Sequence, residues 1–121
     1  MIYGIGVDII DISRFDKLIS NTELMNKIFT KSELEFIGNS QQRAADNFAS
    51  KEAVVKSIGR GFVGISPKEI EIHRENSGKP YIKFDKYKKN IRFHLSISNT
   101  NEHSIAFVIA ERLDDEIISD S

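Results

Sequence analysis

The chain has 121 residues, the size of one ordinary domain, and its 40% hydrophobic and 29% charged residues are typical of a globular protein. A formal net charge of −1 at pH 7 gives no indication of a nucleic-acid or membrane partner, and the absence of cysteine excludes disulfides and cysteine-based zinc sites. No apolar stretch reaches the roughly 18 residues that span a bilayer, and the N-terminus lacks the basic region of a signal peptide, so we expect a cytoplasmic protein.

The N-terminal residues 2–10 predict a β-strand, because they are rich in isoleucine and valine and show no helical period. One face of this strand would carry Gly4, Gly6 and Asp8. Two glycines beside an aspartate leave room for another backbone or a ligand to approach closely.

Short helices are predicted after this strand. Ser13 is placed to cap the first of them, and the second begins at Asn21 or Thr22. Residues 30–33, Thr-Lys-Ser-Glu, have the spacing of a capping box and predict a third helix, which Gly38 would end.

A long helix is predicted over about residues 41–58, with Gly59 ending it. On a helical wheel at about 100° per residue, Glu52 lies in the middle of the apolar stripe that should face the core, and Lys56 lies one turn further on. The polar side chains gather on the opposite side of this helix: Asp46, Asn47, Ser50 and Ser57. A carboxylate in the middle of an apolar stripe requires a partner.

The C-terminal half of the chain predicts strands. Residues 70–73 and 81–84 would form a hairpin, residues 93–98 alternate between apolar and polar, and residues 105–110 are apolar on both faces. A strand, then helices, then a run of strands favours the α+β class, with helices packed on one side of a mainly antiparallel sheet. One face of the strand at 105–110, to which we assign Val108, would need cover from a neighbouring subunit.

Asp8 and Glu52 are two carboxylates in apolar settings. If they faced each other they would repel, and at least one would be protonated at neutral pH. A divalent cation between them would remove the repulsion, and two carboxylates with water and a substrate phosphate are a common way to hold Mg²⁺. The alternative is that Glu52 forms an ordinary i, i+4 ion pair with Lys56 and that Asp8 caps or pairs elsewhere. The residues alone leave both interpretations open.

The loop after the long helix favours phosphate binding. Gly59, Gly61 and Gly64 would expose backbone N–H groups, and Arg60 would add a guanidinium near Lys56. Further hydrogen-bond donors lie along the polar face of the next long strand, which is otherwise a solvated strand face: His94, Ser96, Ser98, Asn99 and Thr100.

Two motifs together resemble the signature pair of the phosphopantetheinyl transferases: Gly-Val-Asp at residues 6–8 and Phe-Ala-Ser-Lys-Glu-Ala-Val-Val-Lys at residues 48–56. Other segments fall where the short, single-domain group of that family has its own: MIYGIGVDI at 1–9, FTKSEL at 29–34, GKP at 78–80 and HLSIS at 94–98. The resemblance covers residues 1–112 as one domain and leaves residues 113–121 as an acidic tail, which we expect to be frayed.

The resemblance implies Mg²⁺-dependent transfer of the phosphopantetheine arm of coenzyme A to a serine of an acidic apo acyl carrier protein, with release of adenosine 3′,5′-bisphosphate. It assigns Asp8 and Glu52 to Mg²⁺, makes Glu52 and Lys56 catalytic, and places Arg14 and Lys17 on a carrier-protein docking helix. It also implies a homotrimer with sites between neighbouring subunits. The residues that it assigns to coenzyme A are Lys56, Gly59, Gly61, Gly64, Ser98 and Asn99.

One departure from the family concerns Asn99, where many members have histidine. Asparagine can donate a hydrogen bond but does not accept a proton, so we expect the general base elsewhere, at Glu52, acting directly or through a water on the metal. Two other functions fit the same residues. One is a Mg²⁺-dependent pyrophosphate hydrolase that uses both carboxylates, and the other is a non-catalytic module that binds the carrier protein through Arg14 and Lys17.

Overall fold

The computed structural model describes residues 1–113, so the acidic residues 114–121 of the predicted tail lie outside the described residues. The chain is α+β, as predicted, and its strands form two antiparallel sheets rather than one: a three-stranded sheet in the order β1-β5-β4 and a β2-β3 hairpin. The elements in chain order are β1 (Ile2–Asp11), α1 (Phe15–Leu18), α2 (Thr22–Ile28), α3 (Lys31–Ile37), α4 (Gln41–Ser57), β2 (Glu71–Arg74), β3 (Pro80–Lys83), β4 (Ile91–Asn99) and β5 (His103–Arg112). No helix within residues 1–113 is both long and apolar enough to cross a membrane.

Two of the three helix caps predicted from the sequence are present in the structure. Asn21 accepts a hydrogen bond from the backbone N–H of Leu24 at the start of α2, and Thr30 with Glu33 forms the predicted capping box of α3. The prediction for Ser13 is wrong. The segment Ile12–Arg14 is a 3₁₀ turn that runs directly into α1, so no side chain caps either element.

β1 and α4 lie backbone against backbone at two glycines. A Cβ at Gly4 would collide with the carbonyl oxygen of Ser57, and one at Gly6 would collide with the carbonyl oxygen of Ala53. The glycines therefore admit another backbone, as the sequence predicted. Since Asp8 follows on the same face of β1, this packing holds its carboxylate beside α4.

The helical wheel identified one buried side of α4 and missed the other. The polar residues opposite Glu52 are themselves buried, and they are satisfied by hydrogen bonds: Asp46, Asn47, Ser50 and Ser57. Glu52 is half-buried and Lys56 is exposed, although their neighbours on the apolar stripe are buried: Ala45, Phe48, Ala49 and Val55. The polar side was missed because α4 packs against β1 and β5 and also against α3 and β2, whereas a wheel assumes burial on one side only.

Lys51 and Glu33 form a fully buried ion pair that sequence reasoning missed. Lys51 Nζ lies 2.8 Å from Glu33 Oε1, and both side chains are 0% exposed. Lys51 also donates to the backbone carbonyls of Pro67 and Ile70, and burial lowers its pKa. Because Glu33 also completes the capping box of α3, this pair joins α3, α4 and the segment that leads into β2.

On the side of the three-stranded sheet that faces away from α4, β1 and β5 carry an open apolar surface, whereas β4 carries His94, Ser96 and Ser98 there. Its β1 and β5 side chains, which we call the outer face, pair across the strands: Ile5 with Ile109, Val7 with Phe107 and Ile9 with Ile105. Val7 is 54% exposed and Phe107 is 40% exposed.

The assignment of Val108 to the uncovered face is therefore wrong. Val108 is 0% exposed and lies with Ala106 and Ala110 on the side of the sheet that packs on α4. Both faces of β5 are apolar, so alternation along the strand does not indicate which of them meets the helix.

Candidate active site

Asp8 and Lys56 meet across the junction of β1 and α4. Lys56 Nζ donates to Asp8 Oδ1 at 2.9 Å and to the carbonyl oxygen of Val7 at 3.1 Å. The side chain of Asp8 is 16% exposed and that of Lys56 is 51% exposed, so the pair lies at the edge of solvent. Among the described residues Lys56 forms its ion pair with Asp8, and not the i, i+4 pair with Glu52 that the sequence left open.

Glu52 shares this site with Asp8. Its pKa is raised above the usual value of a glutamate, first because burial disfavours the charged carboxylate and then because Asp8 repels it. Lys56 and Arg14 act in the opposite direction and partly offset the rise. The structure thus brings both predicted carboxylates and the predicted lysine together at the junction of β1 and α4.

The site has the oxygen ligands that suit a hard divalent cation. Asp8 and Glu52 repel each other at a partly buried site, so a positive charge bound between them is favourable. The ammonium group of Lys56, which pairs with Asp8, offsets only part of this repulsion. No group of three or more His, Cys, Asp or Glu side chains within residues 1–113 is arranged to hold a metal. Mg²⁺ commonly binds through one or two carboxylates with water and phosphate oxygens, so Asp8 and Glu52 fit this ion.

The glycine loop, residues 59–64, follows α4 directly. Gly59, Gly61 and Gly64 have φ angles of 75°, 61° and 73°, in the left-handed region that favours glycine. Arg60 donates to the hydroxyl of Tyr87 and to the carbonyl of Val63, each at 3.3 Å, so its guanidinium is held by the loop and its neighbour. The backbone N–H of Gly59 donates to the carbonyl of Lys56 at 3.1 Å, which fixes where the loop begins relative to Lys56.

Ser98 and Asn99 lie at the opposite edge of the sheet from Asp8. They end β4, whereas Asp8 lies on β1, and β5 separates the two strands. Adjacent strands are about 4.8 Å apart, so these strands are roughly 10 Å apart. A single chain therefore does not bring Ser98 and Asn99 to the two carboxylates.

Asn99 is held in place by a buried carboxylate. Its side-chain amide donates to both oxygens of Asp46 at 3.2 Å, and Ser104 Oγ donates to Asp46 Oδ1 at 2.6 Å. Sequence reasoning singled out Asn99 but missed this anchor, because Asp46 is far away in sequence and was placed on the polar side of α4, opposite the expected core face.

Arg14 connects the first helical segment to the carboxylates. Its guanidinium lies over the ring of Phe48, 4.9 Å from the ring centre, and its charge favours the ionised form of Glu52. Lys17 lies one turn further along, on α1, and is exposed. Of the two cations proposed for docking, Arg14 therefore lies at the rim of the site and Lys17 lies one turn beyond it.

Comparisons with known proteins agree on one family. Residues 4–108 match the family model described as the 4'-phosphopantetheinyl transferase superfamily. A curated protein named holo-[acyl-carrier-protein] synthase, from Lachnoclostridium phytofermentans, is 43% identical over 118 residues, which cover 92% of this chain and 97% of the relative. A protein of the same name from Clostridium kluyveri is 41% identical over 122 residues, with 92% and 91% covered.

Solved structures share the fold. A holo-(acyl-carrier-protein) synthase from Bacillus anthracis in complex with CoA (3',5'-ADP) superposes with a TM-score of 0.82 at 32% identity, over 93% of this chain and 98% of that one. The holo-[acyl-carrier-protein] synthase from Neisseria meningitidis gives a TM-score of 0.83 at 33% identity, over 93% and 100% of the two chains.

Proposed function

The chain belongs to the 4'-phosphopantetheinyl transferase superfamily, and from this membership we infer that it is an enzyme of the holo-[acyl-carrier-protein] synthase type. It transfers the 4′-phosphopantetheine arm of coenzyme A to a serine of apo acyl carrier protein. We further propose that residues 1–112 form one transferase domain, and that the cluster Asp8, Glu52 and Lys56 is where the reaction takes place.

The observation that carries this assignment is the meeting of three charged side chains at the junction of β1 and α4. Asp8 comes from β1, while Glu52 and Lys56 come from successive turns of α4, and the close packing at Gly4 and Gly6 sets their separation. Displacement at the pyrophosphate of coenzyme A builds up negative charge on the leaving adenosine bisphosphate. A cation beside two carboxylates suits a site where phosphate oxygens must be bound and oriented.

The carrier protein supplies the nucleophile, so this chain needs no nucleophile of its own. Its serine hydroxyl must lose a proton as it attacks, and Glu52 is our candidate for the group that accepts it. Without a metal, burial and Asp8 raise the pKa of Glu52 and make it a stronger base than an exposed glutamate, whereas a cation bound to it would act in the opposite direction. Asn99 does not serve in this role, because an amide does not accept a proton and because its amide group is bound to Asp46.

Mg²⁺ would be held by Asp8 and Glu52, and when bound it would neutralise charge on the pyrophosphate. Lys56 is half exposed and donates a hydrogen bond to Asp8 Oδ1. Its ammonium group would donate a further hydrogen bond to a phosphate oxygen. The backbone N–H groups of the glycine loop would bind further coenzyme A oxygens through Gly59, Gly61 and Gly64.

We assign the acidic carrier protein to the side of the site marked by Arg14 and Lys17. Arg14 lies near enough to Glu52 to affect its ionisation, so a protein docked there would present its serine close to the proposed base. Exposed cations at such a rim steer an acidic partner and set its orientation more than they add affinity.

The outer face supports assembly into a homotrimer. Five of its six side chains are between 38% and 60% exposed, and such a contiguous apolar patch is unusual on a monomer. The resemblance to the family sets the expected number of copies at three, and a closed ring would bury this face around its axis. In such a ring Ser98 and Asn99 of one subunit would approach the carboxylates of its neighbour, which accounts for their separation within one chain.

The assignment is tested by following adenosine 3′,5′-bisphosphate during incubation of the protein with coenzyme A and Mg²⁺. We expect adenosine bisphosphate to be released only when apo carrier protein is present. The release should stop when the carrier serine is replaced by alanine. Release without carrier protein would instead identify a pyrophosphate hydrolase. Carrier binding with no release under any condition would identify a non-catalytic binding module.

A further inference from the structure

A buried carboxylate holds the turn end of the β4-β5 hairpin against α4. Asp46 of α4 is 8% exposed, and it accepts hydrogen bonds from the side chains of Asn99, at the end of β4, and Ser104, near the start of β5. Asn99 and Ser104 are partners across the two strands, so one carboxylate holds both sides of the hairpin. The position of Asn99 is therefore determined by α4 as well as by the sheet.

The carboxylate of Asp46 is held by hydrogen bonds rather than by a direct ion pair. None of the ion pairs within residues 1–113 includes Asp46. Its charge acts at longer range on Arg74 of β2: burial lowers the pKa of Arg74, and Asp46 acts in the opposite direction. Hydrogen bonds to an ionised group are about twice as strong as neutral ones, so Asn99 and Ser104 are held more firmly than a neutral side chain at position 46 would hold them.

The carboxylate also fixes which way the amide group of Asn99 is turned. A carboxylate only accepts hydrogen bonds, so the Nδ2 group of Asn99 faces it, 3.2 Å from both oxygens, and the Oδ1 oxygen is directed away from it. A neutral amide at position 46 would pair equally well with either end of the Asn99 side chain. Because Asn99 is exposed in the single chain, its Oδ1 oxygen is open to another molecule.

We propose that Asp46 is a positioning residue of the transferase site, and that it acts through Asn99 on the site of a neighbouring subunit. The proposal rests on the proposed function, in which the end of β4 completes the neighbour's site. Asn99 would accept a hydrogen bond from a hydroxyl or amide N–H group of coenzyme A, because a phosphate would be repelled by its Oδ1 oxygen and by Asp46 behind it. Asp46 itself touches no substrate in this arrangement and determines how the site is completed.

The first test compares Asp46→Asn with Ser104→Ala. Asp46→Asn keeps the size of the side chain and one acceptor oxygen, but it adds a donor and so allows the Asn99 amide to turn over. Ser104→Ala removes the other hydrogen bond of the same carboxylate and leaves Asn99 in contact with it, so it is the matched control. We expect Asp46→Asn to bind coenzyme A about tenfold more weakly by calorimetry and to keep the KM for carrier protein. Ser104→Ala should lower only the free energy of unfolding.

A second test examines whether Asp46 acts across a subunit boundary. Glu52→Gln disables the site on its own α4, whereas Asp46→Asn should weaken the site of the adjoining subunit. Co-expression of the two variants produces some sites with an intact Glu52 from one subunit and an intact Asp46 from the other. The transfer rate of the mixed protein should therefore exceed the average of the rates of the two variants measured separately.

Three results would overturn the inference. Equal losses of coenzyme A affinity in Asp46→Asn and Ser104→Ala would mean that Asp46 only stabilises the hairpin. A raised KM for carrier protein in Asp46→Asn, with coenzyme A affinity unchanged, would place Asn99 against the carrier protein. A mixed protein no faster than the average of its variants would mean that Asp46 acts within its own subunit.

Failure of the proposed function gives a different result. Coenzyme A affinity is measured without turnover, so it reports on Asp46 whether or not phosphopantetheine is transferred. A parent protein that transfers nothing, but binds coenzyme A more tightly than Asp46→Asn does, would contradict the proposed function and leave the positioning role of Asp46 standing.

Discussion

Gly6 of β1 lies directly against the backbone carbonyl of Ala53 in α4, so closely that a methyl group at position 6 would collide with that oxygen. Asp8 is two residues further along the strand on the same face, and Glu52 precedes Ala53 in the helix. The glycine therefore sets the separation of the two carboxylates as well as the packing of the strand on the helix.

Gly6→Ala should damage activity beyond its effect on folding. Forcing a methyl group between two backbones costs about 1–3 kcal/mol of the free energy of unfolding, and it moves Asp8 away from Glu52. Ile37→Ala, a buried change on α3, serves as a control of comparable or greater destabilisation. The kcat values are compared at a temperature where circular dichroism shows that both variants are folded. We expect kcat to fall at least tenfold in Gly6→Ala and not in Ile37→Ala. Equal activities would show that this packing does not position the site.

Glu52→Gln should abolish transfer and yet stabilise the metal-free fold. The raised pKa of Glu52 means that burial and Asp8 disfavour its carboxylate in the folded state. At pH values below the pKa of Glu52 in the unfolded chain, this group is protonated in both the folded and the unfolded state, and it does not lower the free energy of unfolding. The loss of stability develops as pH rises through the pKa of Glu52 in the folded state. The stability of Glu52→Gln relative to the parent should therefore increase over that range, as measured by urea unfolding in EDTA. A difference that is constant with pH would contradict the electrostatic cause.

Lys51→Met should destabilise the protein by about 3–5 kcal/mol, because it leaves Glu33 buried without its cation. Replacing both partners, in Lys51→Met/Glu33→Gln, should recover part of that loss, since no unpaired charge is left buried and the one amide oxygen can still accept from the backbone N–H of Thr30. A double-mutant cycle of urea unfolding measures the coupling. Simple additivity of the two single changes would mean that the ion pair does not join α3 to α4.

Phe107→Glu should yield a folded, dissociated and inactive protein. Phe107 lies on the outer face and is 40% exposed, so a glutamate there is tolerated in one chain but would repel its copies around a symmetry axis. Val108→Glu is the matched control, because the neighbouring side chain is fully buried against α4 and the same substitution should unfold the chain. Light scattering and circular dichroism distinguish the two. A parent protein that is monomeric and fully active would contradict assembly through this face.

The sequence predicted local features better than it predicted burial. The capping box at Thr30 and the end of α4 depend on neighbouring residues, and both were found. Gly4 and Gly6 predicted a close approach, but the sequence did not indicate that its partner is α4. The burial of the polar side of α4 was missed, because the helix is packed on several sides and its apolar stripe does not mark the only buried face. The partners of Lys51 and Asp46 were missed because they lie on other elements, and the order of the sequence does not indicate which elements touch.

The central claim is that Asp8, Glu52 and Lys56 form the site that transfers phosphopantetheine. The most direct measurement is the intact mass of apo acyl carrier protein after incubation with coenzyme A, Mg²⁺ and either the parent protein or Glu52→Gln. We expect a gain equal to one phosphopantetheine group with the parent protein, and a gain slower by a factor of about a hundred or more with Glu52→Gln. No gain with the parent protein, or equal rates with both, would contradict the account.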